Sequence, residues 1–309
     1  MKLIRYYKTI DGRITELDKY EKDCWISCIA PNDQEKSYLL STFKIESEVL
    51  RASLDEEESS RIDKEEDNIL IIIDNPVVNK SGKNLTYYTI PLSIILTEEN
   101  IITISLNETP IIEEFEKGLI KNTDPKYKNR FALQMILRVA SKYLKYLNQI
   151  NKITDRVEEE LKKSMKNKEL IQFLEIEKSL VYFSAALKST GIMLGRVTRG
   201  RYLRLDEEDT ELLEDVMIEI KQATEMSETY LNILTGTMDM LSTLISNKLN
   251  DVMKILASIT FISSIPTIIS GIYGMNTDLP LQKIAWFPFA LMAVFTVITW
   301  AILKKKNMI

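Results

Sequence analysis

Residues 255–277 read ILASITFISSIPTIISGIYGMNT and residues 284–303 read IAWFPFALMAVFTVITWAIL, and neither stretch contains a charged side chain. A helix needs about 20 predominantly apolar residues to cross about 30 Å of hydrocarbon, so each stretch can span a membrane. The segment between them is too short to hold a folded domain. The sequence therefore predicts transmembrane helices at 255–276 and 284–303, joined by an external loop at 277–283, and excludes a wholly soluble protein.

Lysines flank the two ends of these helices that we expect on the same side of the membrane. Lys248 and Lys254 precede the first helix, and Lys304, Lys305 and Lys306 follow the second. Because cytoplasmic flanks carry an excess of Lys and Arg, we predict that both termini are cytoplasmic, with a basic tail at 304–309, in the plasma (inner) membrane. The N-terminal residues MKLIRYYKTIDGR contain no apolar segment of the kind found in secretory signal peptides.

The composition excludes several classes of function. The net charge is −5 and the pI about 5.2, which argues against nucleic acid as a partner and fits an acidic surface that attracts cations. The chain has no histidine, so imidazole bases, Ser-His-Asp triads and His-containing zinc sites are absent. Cys24 and Cys28 lack further ligands of the usual type, so we expect buried, reduced thiols. We predict no catalytic site and no cofactor, and any metal must be handled mainly by oxygen.

Proline positions divide the rest of the chain. No proline occurs between Pro125 and Pro266, which predicts long helices at 126–166 and 169–198, and a third from about 206 that continues into the first membrane span. Before Pro125 we predict helices at 32–44, 46–54 and 110–117, and strands at 2–9, 23–30, 68–73, 85–90, 93–97 and 101–105. The predicted organisation is an α/β domain (1–120), a helical hairpin (121–205) and a stalk helix (206–254), followed by the membrane helices.

One face of the first membrane span is made mostly of small or polar residues. They recur at spacings of three and four, which places them on one side of a helix: Asn250, Met253, Ala257, Thr260, Ser264, Thr267, Gly271 and Gly274. Two interpretations remain open from the pattern itself. The small residues could allow close helix packing without a pore, or several copies of the chain could turn this face toward a pore.

The end of this span resembles a known family. Tyr273-Gly274-Met275-Asn276 is similar to the Gly-Met-Asn signature of the CorA-type magnesium channels, and it stands at the end of the first of two C-terminal spans, before a short loop and a lysine-rich tail. The approach to the membrane, SNKLNDVMK at 246–254, also resembles the family, as do Pro76-Val77-Val78, Pro91-Leu92 and residues 99–103. The resemblance covers most of the chain and is strongest after about residue 210.

The resemblance implies a funnel-shaped homopentamer embedded in the lipid bilayer, with five first spans lining a pore for divalent cations. It implies that Asn276 is the selectivity residue and that Gly274 and Met275 hold its loop, with Met275 packing to shape the turn. A ring of amide oxygens can accept hydrogen bonds from the water shell of Mg²⁺, which loses its waters reluctantly. The pore lining would comprise Asn250, Met253, Leu256, Thr260, Ser264, Thr267 and Gly271.

Two positions differ from what is usual in that family. Ser264 stands where a bulky apolar gate residue is common, so we expect Met253 and Leu256 to form the constriction near the cytoplasmic mouth. The external loop lacks the Met-Pro-Glu-Leu pattern, and Asp278 is only a weak substitute for its carboxylate.

The family is regulated by magnesium bound between subunits in the cytosol. The resemblance implies that Asp215 belongs to that regulatory metal site and that its partner acid comes from 55–58, with Asp55 as the choice. The alternative for the acidic run at 206–215 is a solvated first helical turn that interacts with the helix dipole.

Three functions compete. The first is a channel importing hydrated magnesium, and also cobalt or nickel, gated by intracellular magnesium. The second is a zinc transporter of the same fold, although zinc prefers the nitrogen and sulfur ligands that this chain lacks. The third is a two-span membrane sensor with a coiled-coil cytosolic domain, although its external loop is too short for most ligands.

Overall fold

The β-strands of the computed structural model, which describes residues 4–65, 68–81, 84–163, 167–276, 281, 284–306 and 308, form one seven-stranded sheet. The strands are β1 (Ile4–Ile10), β2 (Arg13–Leu17), β3 (Trp25–Ile29), β4 (Arg61–Glu65), β5 (Asn68–Ser81), β6 (Asn84–Leu96) and β7 (Ile101–Ser105). Their order is β2-β1-β3-β7-β6-β5-β4, and every pairing is antiparallel except β3 with β7. The central strands β3 and β7 are buried at every position, as their apolar sequences predict.

The sheet differs from the predicted strands in two ways. The edge strands β2 and β4 were missed because their sequences, RITEL and RIDKE, are rich in charge, as is common at exposed edges. The predicted strands at 85–90 and 93–97 are one strand, β6, which continues through Pro91. Likewise β5 continues through Pro76 to Ser81. The predicted strand ends at residues 73 and 90 were therefore wrong.

Short helices accompany the strands, and side chains cap the first and the last of them. They are α1 (Asp33–Phe43), α2 (Ser47–Ser53) and α3 (Pro110–Glu116). Asn32 and Glu35 form a capping box at the start of α1, in which each side chain accepts from the other residue's backbone N–H at 2.9 Å. The Thr109 hydroxyl caps α3 and Pro110 occupies its first turn, where no backbone donor is needed.

Helices cover both faces of the sheet. On one face, Leu39 and Val49 of α1 and α2 pack over Ile26, Ile72 and Ile102. On the other face, Trp25 contacts Phe115 of α3 and Phe131, with ring centroids 6.2 and 5.4 Å apart. The indole N–H of Trp25 also donates to the Thr103 hydroxyl at 2.9 Å. The sheet is therefore the centre of a three-layer unit, and the predicted α/β class of this domain is confirmed.

Four longer helices follow: α4 (Lys128–Lys163), α5 (Asn167–Thr198), α6 (Glu207–Tyr273) and α7 (Phe287–Lys305). The predicted stalk and first membrane span are one helix, α6, which contains Pro266. The chain divides into two compact units, residues 1–234 and 235–309, described separately here as the α/β unit and the C-terminal unit. The predicted fold class, an α/β domain followed by long helices and two apolar C-terminal helices, is confirmed.

Candidate functional site

Among the residues that the structure describes, two helices, α6 and α7, are long and apolar enough to cross a membrane. The apolar windows of α6 and α7 have a mean hydropathy of 1.8, and little of either is buried within the chain. Buried core helices of soluble proteins bury their apolar side chains, whereas these helices present them outward. This arrangement fits a lipid environment.

Helix α7 packs along one side of α6. Ser258 and Ile269 on α6 are buried, as is Leu303 on α7. The Ser258 hydroxyl donates to the backbone carbonyl of Met308 at 3.1 Å, and the rings of Tyr273 and Phe287 meet edge to face at 6.3 Å. The α7-facing side of α6 is therefore the side of Ser258 and Ile269.

The polar stripe predicted to line a pore lies on the opposite side of α6. At 100° per residue, the stripe points about 160° away from the side that carries Ser258 and Ile269. Met253, Leu256, Thr260, Thr267 and Gly271 are all exposed. Ser264 is half-buried, and Asn250 at the start of the stripe is exposed. In the single chain, the polar stripe is thus uncovered, while α7 covers the side of α6 that carries Ser258 and Ile269.

The hydroxyls of the stripe are already oriented by the helix. Thr260 donates to the carbonyl of Leu256 at 2.9 Å, Ser264 to Phe261 at 2.8 Å, and Thr267 to Ser263 at 3.1 Å. Because each hydroxyl hydrogen is used inside the helix, the lone pairs of the oxygen are what it can offer outward. Water in a cation's shell donates hydrogen bonds outward, so these oxygens suit a hydrated cation as acceptors.

The Gly-Met-Asn segment directly follows the last residue of α6. Backbone N–H groups of Gly274 and Met275 bond to the carbonyls of Ser270 and Ile272 at 2.9 and 3.2 Å, which continues the helical turn. A Cβ at position 274 would lie 3.0 Å from the Ser270 carbonyl oxygen, so a side chain there would crowd the backbone. Asn276 is exposed beyond this turn.

Two further residues, Met275 and Asp278, were predicted to act at the end of α6 and in the external loop. Met275 was expected to shape the turn by packing, but it is 56% exposed, so it makes no packed core within one chain. The predicted carboxylate of the external loop, Asp278, lies outside the described residues, as does most of the loop at 277–283.

The two predicted regulatory acids are both exposed and belong to separate elements of the α/β unit. Asp215 lies on α6, and Asp55 follows α2, where its carboxylate accepts from the backbone N–H of Glu57 at 3.0 Å. Across the described parts of the chain, no three His, Cys, Asp or Glu side chains come together in a way that could hold a metal ion. Within one chain, the described residues therefore form no such group around Asp215 or Asp55.

The acidic start of α6 is held by one arginine that sequence reasoning missed. Arg130 of α4 forms ion pairs with Asp206 at 3.2 Å, Glu208 at 2.6 Å and Asp209 at 2.9 Å. Asp206 also caps α6 by accepting from the Asp209 N–H at 2.7 Å. Part of the acidic run thus anchors α6 to α4, and Asp215 lies beyond this anchor. The only signal in the sequence was an arginine near the start of α4.

An apolar groove between α5 and α6 was also missed. Its volume is about 730 Å³, and its lining includes Leu187, Gly191, Ile192, Met217 and Ile218. Ile192 and Ile218 are 67% and 64% exposed. Large exposed apolar side chains in such a groove are typical of surfaces that contact a protein, a membrane or a ligand.

Buried titratable groups in the α/β unit serve the fold. Burial raises the pKa of both cysteine thiols, to about 12 for Cys28. Cys24 and Cys28 are both buried and form no disulfide, so the predicted burial of these thiols is confirmed. Burial also raises the pKa of Asp74, whose carboxylate accepts from the Ser60 hydroxyl at 2.7 Å.

Comparison with known proteins gives consistent results. A family model described as "CorA-like Mg2+ transporter protein" matches residues 20–305. The chain is 31% identical, over 97% of both sequences, to a protein of Methanocaldococcus jannaschii named cobalt/magnesium transport protein CorA.

Solved structures of similar proteins give the same family or the same fold. The complete structure of the CorA magnesium transporter from Methanocaldococcus jannaschii matches with a TM-score of 0.82 and 25% identity, covering 99% of this chain and 97% of that one. The cytoplasmic domain of ZntB from Vibrio parahaemolyticus matches with a TM-score of 0.64 over 80% of this chain and 100% of that one. At 13% identity it shows a shared fold alone.

Proposed function

The chain belongs to the family of CorA-like Mg²⁺ transporter proteins, and from that membership we propose that it is a homopentameric channel importing hydrated magnesium. It is a divalent-cation transporter of the membrane and not an enzyme. Beyond family membership, we propose that the protein is an oligomer, that the ion crosses the pore with its water shell, that transport is inward, and that intracellular magnesium gates it. Cobalt enters the proposal as a further ion because the name of the 31% identical relative includes it, and nickel enters as an ion of similar charge.

The observation that carries the proposal is the orientation of the polar stripe on α6. The stripe lies opposite α7, is uncovered in one chain, and ends in Gly274-Met275-Asn276. Five copies that turn this side inward would line a pore with α6 and surround it with α7. Close packing of two helices through small residues explains Gly271 but gives no role to the exposed hydroxyls of Thr260 and Thr267.

Magnesium suits such a lining because it keeps its waters. Mg²⁺ holds its octahedral water shell at 2.0–2.1 Å and dehydrates reluctantly, so a pore need only accept hydrogen bonds from that shell. In the proposal, Asn276 side-chain oxygens form the first ring, with Gly274 and Met275 holding the loop. The hydroxyls of Thr267, Ser264 and Thr260 follow, with Gly271 leaving space between them.

The cytoplasmic end of the stripe supplies the gate. Met253 on the stripe and Leu256 beside it are apolar and exposed, so rings of them would form a constriction that closes by excluding water. Asn250 lies one turn further and would add an inner polar ring. Because Ser264 is small and polar, the constriction rests on Met253 and Leu256.

The apolar groove between α5 and α6 supports self-association. In this proposal, its exposed Ile192 and Ile218 are covered by a neighbouring copy in the α/β layer of the oligomer. Asp215 of one copy and Asp55 of the next would then bind intracellular magnesium, whose charge offsets carboxylate repulsion and favours the closed state. Both termini would be cytoplasmic, with the external loop on the other side of the plasma membrane.

Zinc transport is the second candidate, and no described feature of the pore favours it. The stripe offers hydroxyl and amide oxygens, and the chain has no histidine. The similarity to the ZntB domain is one of fold.

Reconstitution tests the proposal directly. Purified protein in liposomes containing a magnesium-sensitive dye should admit magnesium down its gradient, and zinc should compete poorly. Flux of zinc without magnesium would favour the second candidate, whereas a folded oligomer that conducts no divalent cation would favour the two-span sensor. Growth rescue of a magnesium-auxotrophic cell checks import in vivo.

A further inference from the structure

The end of α7 combines a basic cluster with an apolar surface. Lys304, Lys305 and Lys306 are consecutive and exposed. Val297, Trp300 and Lys304 share one side of the helix, because they are spaced by three and four residues. Val297 is 62% and Trp300 45% exposed, and the ammonium group of Lys304 lies 4.9 Å from the centroid of the Trp300 indole. The surface thus changes from apolar to cationic within one helical turn.

The chain after these lysines is fixed against α6. The Lys306 N–H donates to the carbonyls of Ile302 and Leu303 at 3.1 and 3.2 Å, and the Met308 N–H donates to that of Leu303 at 3.1 Å. The Met308 carbonyl accepts from the Ser258 hydroxyl at 3.1 Å. The lysines are therefore held beside α6, where Lys254 lies one turn before Ser258.

The positive charge of this cluster has little compensation within the C-terminal unit. Asp239 and Asp251 are the carboxylates in the described part of this unit, and Asp251 is paired with Lys254 at 3.2 Å. Among the described residues, none of Lys304, Lys305 and Lys306 forms an ion pair with a carboxylate. An anion from outside the chain can therefore supply the missing charge.

We propose that Lys304, Lys305 and Lys306 bind the phosphate of an anionic phospholipid whose acyl chains lie along Val297 and Trp300. A free phosphate ion has the same anionic chemistry, but it would make no use of the apolar side chains directly before the cluster. Basic residues immediately beside a transmembrane helix attract anionic headgroups, and aromatic rings lie at headgroup depth. The inference rests on the membrane insertion in the proposed function, and it requires neither magnesium flux nor a pore.

Lipid binding can be measured without transport. The full-length protein is placed in nanodiscs with equal amounts of phosphatidylglycerol and phosphatidylcholine, extracted gently, and its retained lipids are counted by native mass spectrometry. We expect phosphatidylglycerol to be enriched on the wild type. The triple variant K304Q/K305Q/K306Q should reduce that enrichment about 10-fold or more, because each lysine near the surface contributes about 5-fold to the attraction.

Matched variants separate this site from general charge effects. K22Q/K117Q/K221Q removes the same charge from exposed positions of the α/β unit and should keep the enrichment. The single variants K304Q, K305Q and K306Q should each lower it in part, which preserves the test if the triple variant folds poorly. Trp300→Ala should weaken retention of the lipid while leaving all lysines in place.

Three results would overturn the proposal. Equal retention of the two lipids by the wild type would remove the anionic preference. Unchanged enrichment in the K304Q/K305Q/K306Q variant would place the preference elsewhere. Displacement of the lipid by inorganic phosphate as effectively as by soluble phosphatidylglycerol would assign the cluster to free phosphate. A protein that enriches the lipid but conducts no cation would contradict the proposed function and leave this inference intact.

Discussion

The two units of this chain differ in the burial of their large apolar side chains. In the α/β unit, Trp25, Phe115 and Phe131 are completely buried against one another. In the C-terminal unit, Leu256, Ile259 and Phe261 are each 56% exposed. The first unit can therefore stabilise its fold within one chain, because burial of apolar surface is the main favourable contribution to folding. The second unit needs surroundings, and the side of α6 that we propose lines a pore is the side that α7 leaves uncovered.

Charge separates the units as well. Six of the 40 basic residues and three of the 45 acidic residues lie after position 234, so the α/β unit is acidic and the C-terminal unit basic. An acidic surface raises the local concentration of cations, and a basic end of a membrane helix fits anionic headgroups. The sharpest tests change one residue in each unit and ask whether stability or transport responds.

The largest effect is expected at the end of the uncovered side of α6. Asn276→Ala should abolish magnesium flux in liposomes, because the substitution removes the amide oxygen proposed to hold the ion's water shell. The oligomer should remain folded, since Asn276 is exposed in the single chain. Size-exclusion chromatography and circular dichroism check the fold alongside the flux.

A matched substitution in the other unit gives the control. Asn148 on α4 is also exposed, and its amide donates to the Leu144 carbonyl within its own helix. Asn148→Ala should leave magnesium flux at the wild-type rate. Normal flux in the Asn276→Ala variant would remove Asn276 from the selectivity site and end the proposed role of the whole segment.

The free energy of unfolding should respond to substitutions in the α/β unit rather than in the C-terminal unit. Trp25→Ala should lower the free energy of unfolding by about 3–5 kcal/mol, because it leaves a large cavity and breaks the 2.9 Å hydrogen bond to Thr103. Ile259→Ala, on an exposed position of α6, should change it by about 0.5 kcal/mol or less. Denaturant unfolding of detergent-solubilised protein, followed by circular dichroism, measures both. Similar losses for the two variants would show that the C-terminal unit packs its own core.

Much of the fold could be predicted from local sequence. The continuous apolar strands β3 and β7, the capping box of Asn32 with Glu35 and the proline-free long helices all carry their signal within a few residues. Strands β2 and β4 could not be found in this way, because an edge strand with charged side chains looks like a loop until its partner is known. The lengths of β5 and β6 also depend on their pairing with each other, because both strands continue through a proline, Pro76 in β5 and Pro91 in β6.

In the candidate site as well, some features could be predicted from local sequence and others depend on non-local contacts. The spacing from Asn250 to Gly274 places the stripe on one side of a helix, and that part needs no tertiary information. Which side α7 occupies is set by non-local contacts such as Ser258 with Met308, and no spacing predicts them. The Arg130 anchor was missed for the same reason, because its three carboxylates come from residues more than 70 positions away.

A smaller effect is expected at the acid proposed to sense magnesium. Asp215→Ala should raise the intracellular magnesium concentration needed for closure by about 5-fold or more, the usual size of an allosteric coupling. The reason is that the variant lacks a carboxylate whose repulsion the bound ion offsets. Flux measured against increasing magnesium inside the liposome gives the shift, and unchanged sensitivity would mean that the sensor lies elsewhere. Glu211→Ala, another exposed acid near the start of α6, should leave the sensitivity unchanged.

The smallest effect separates the proposed pore side of α6 from the rest of the same helix. Thr267→Val preserves the side-chain shape and removes only the hydroxyl whose lone pairs face outward. Loss of one hydrogen bond to the hydrated ion should slow flux by about 2–10-fold. Thr229 has the same exposed position and the same bond to a carbonyl four residues earlier, but it lies in the α/β unit, so Thr229→Val should conduct normally. If both variants conduct equally, the hydroxyls of the stripe serve helix geometry, and the uncovered side of α6 acts through Asn276 and the apolar constriction alone.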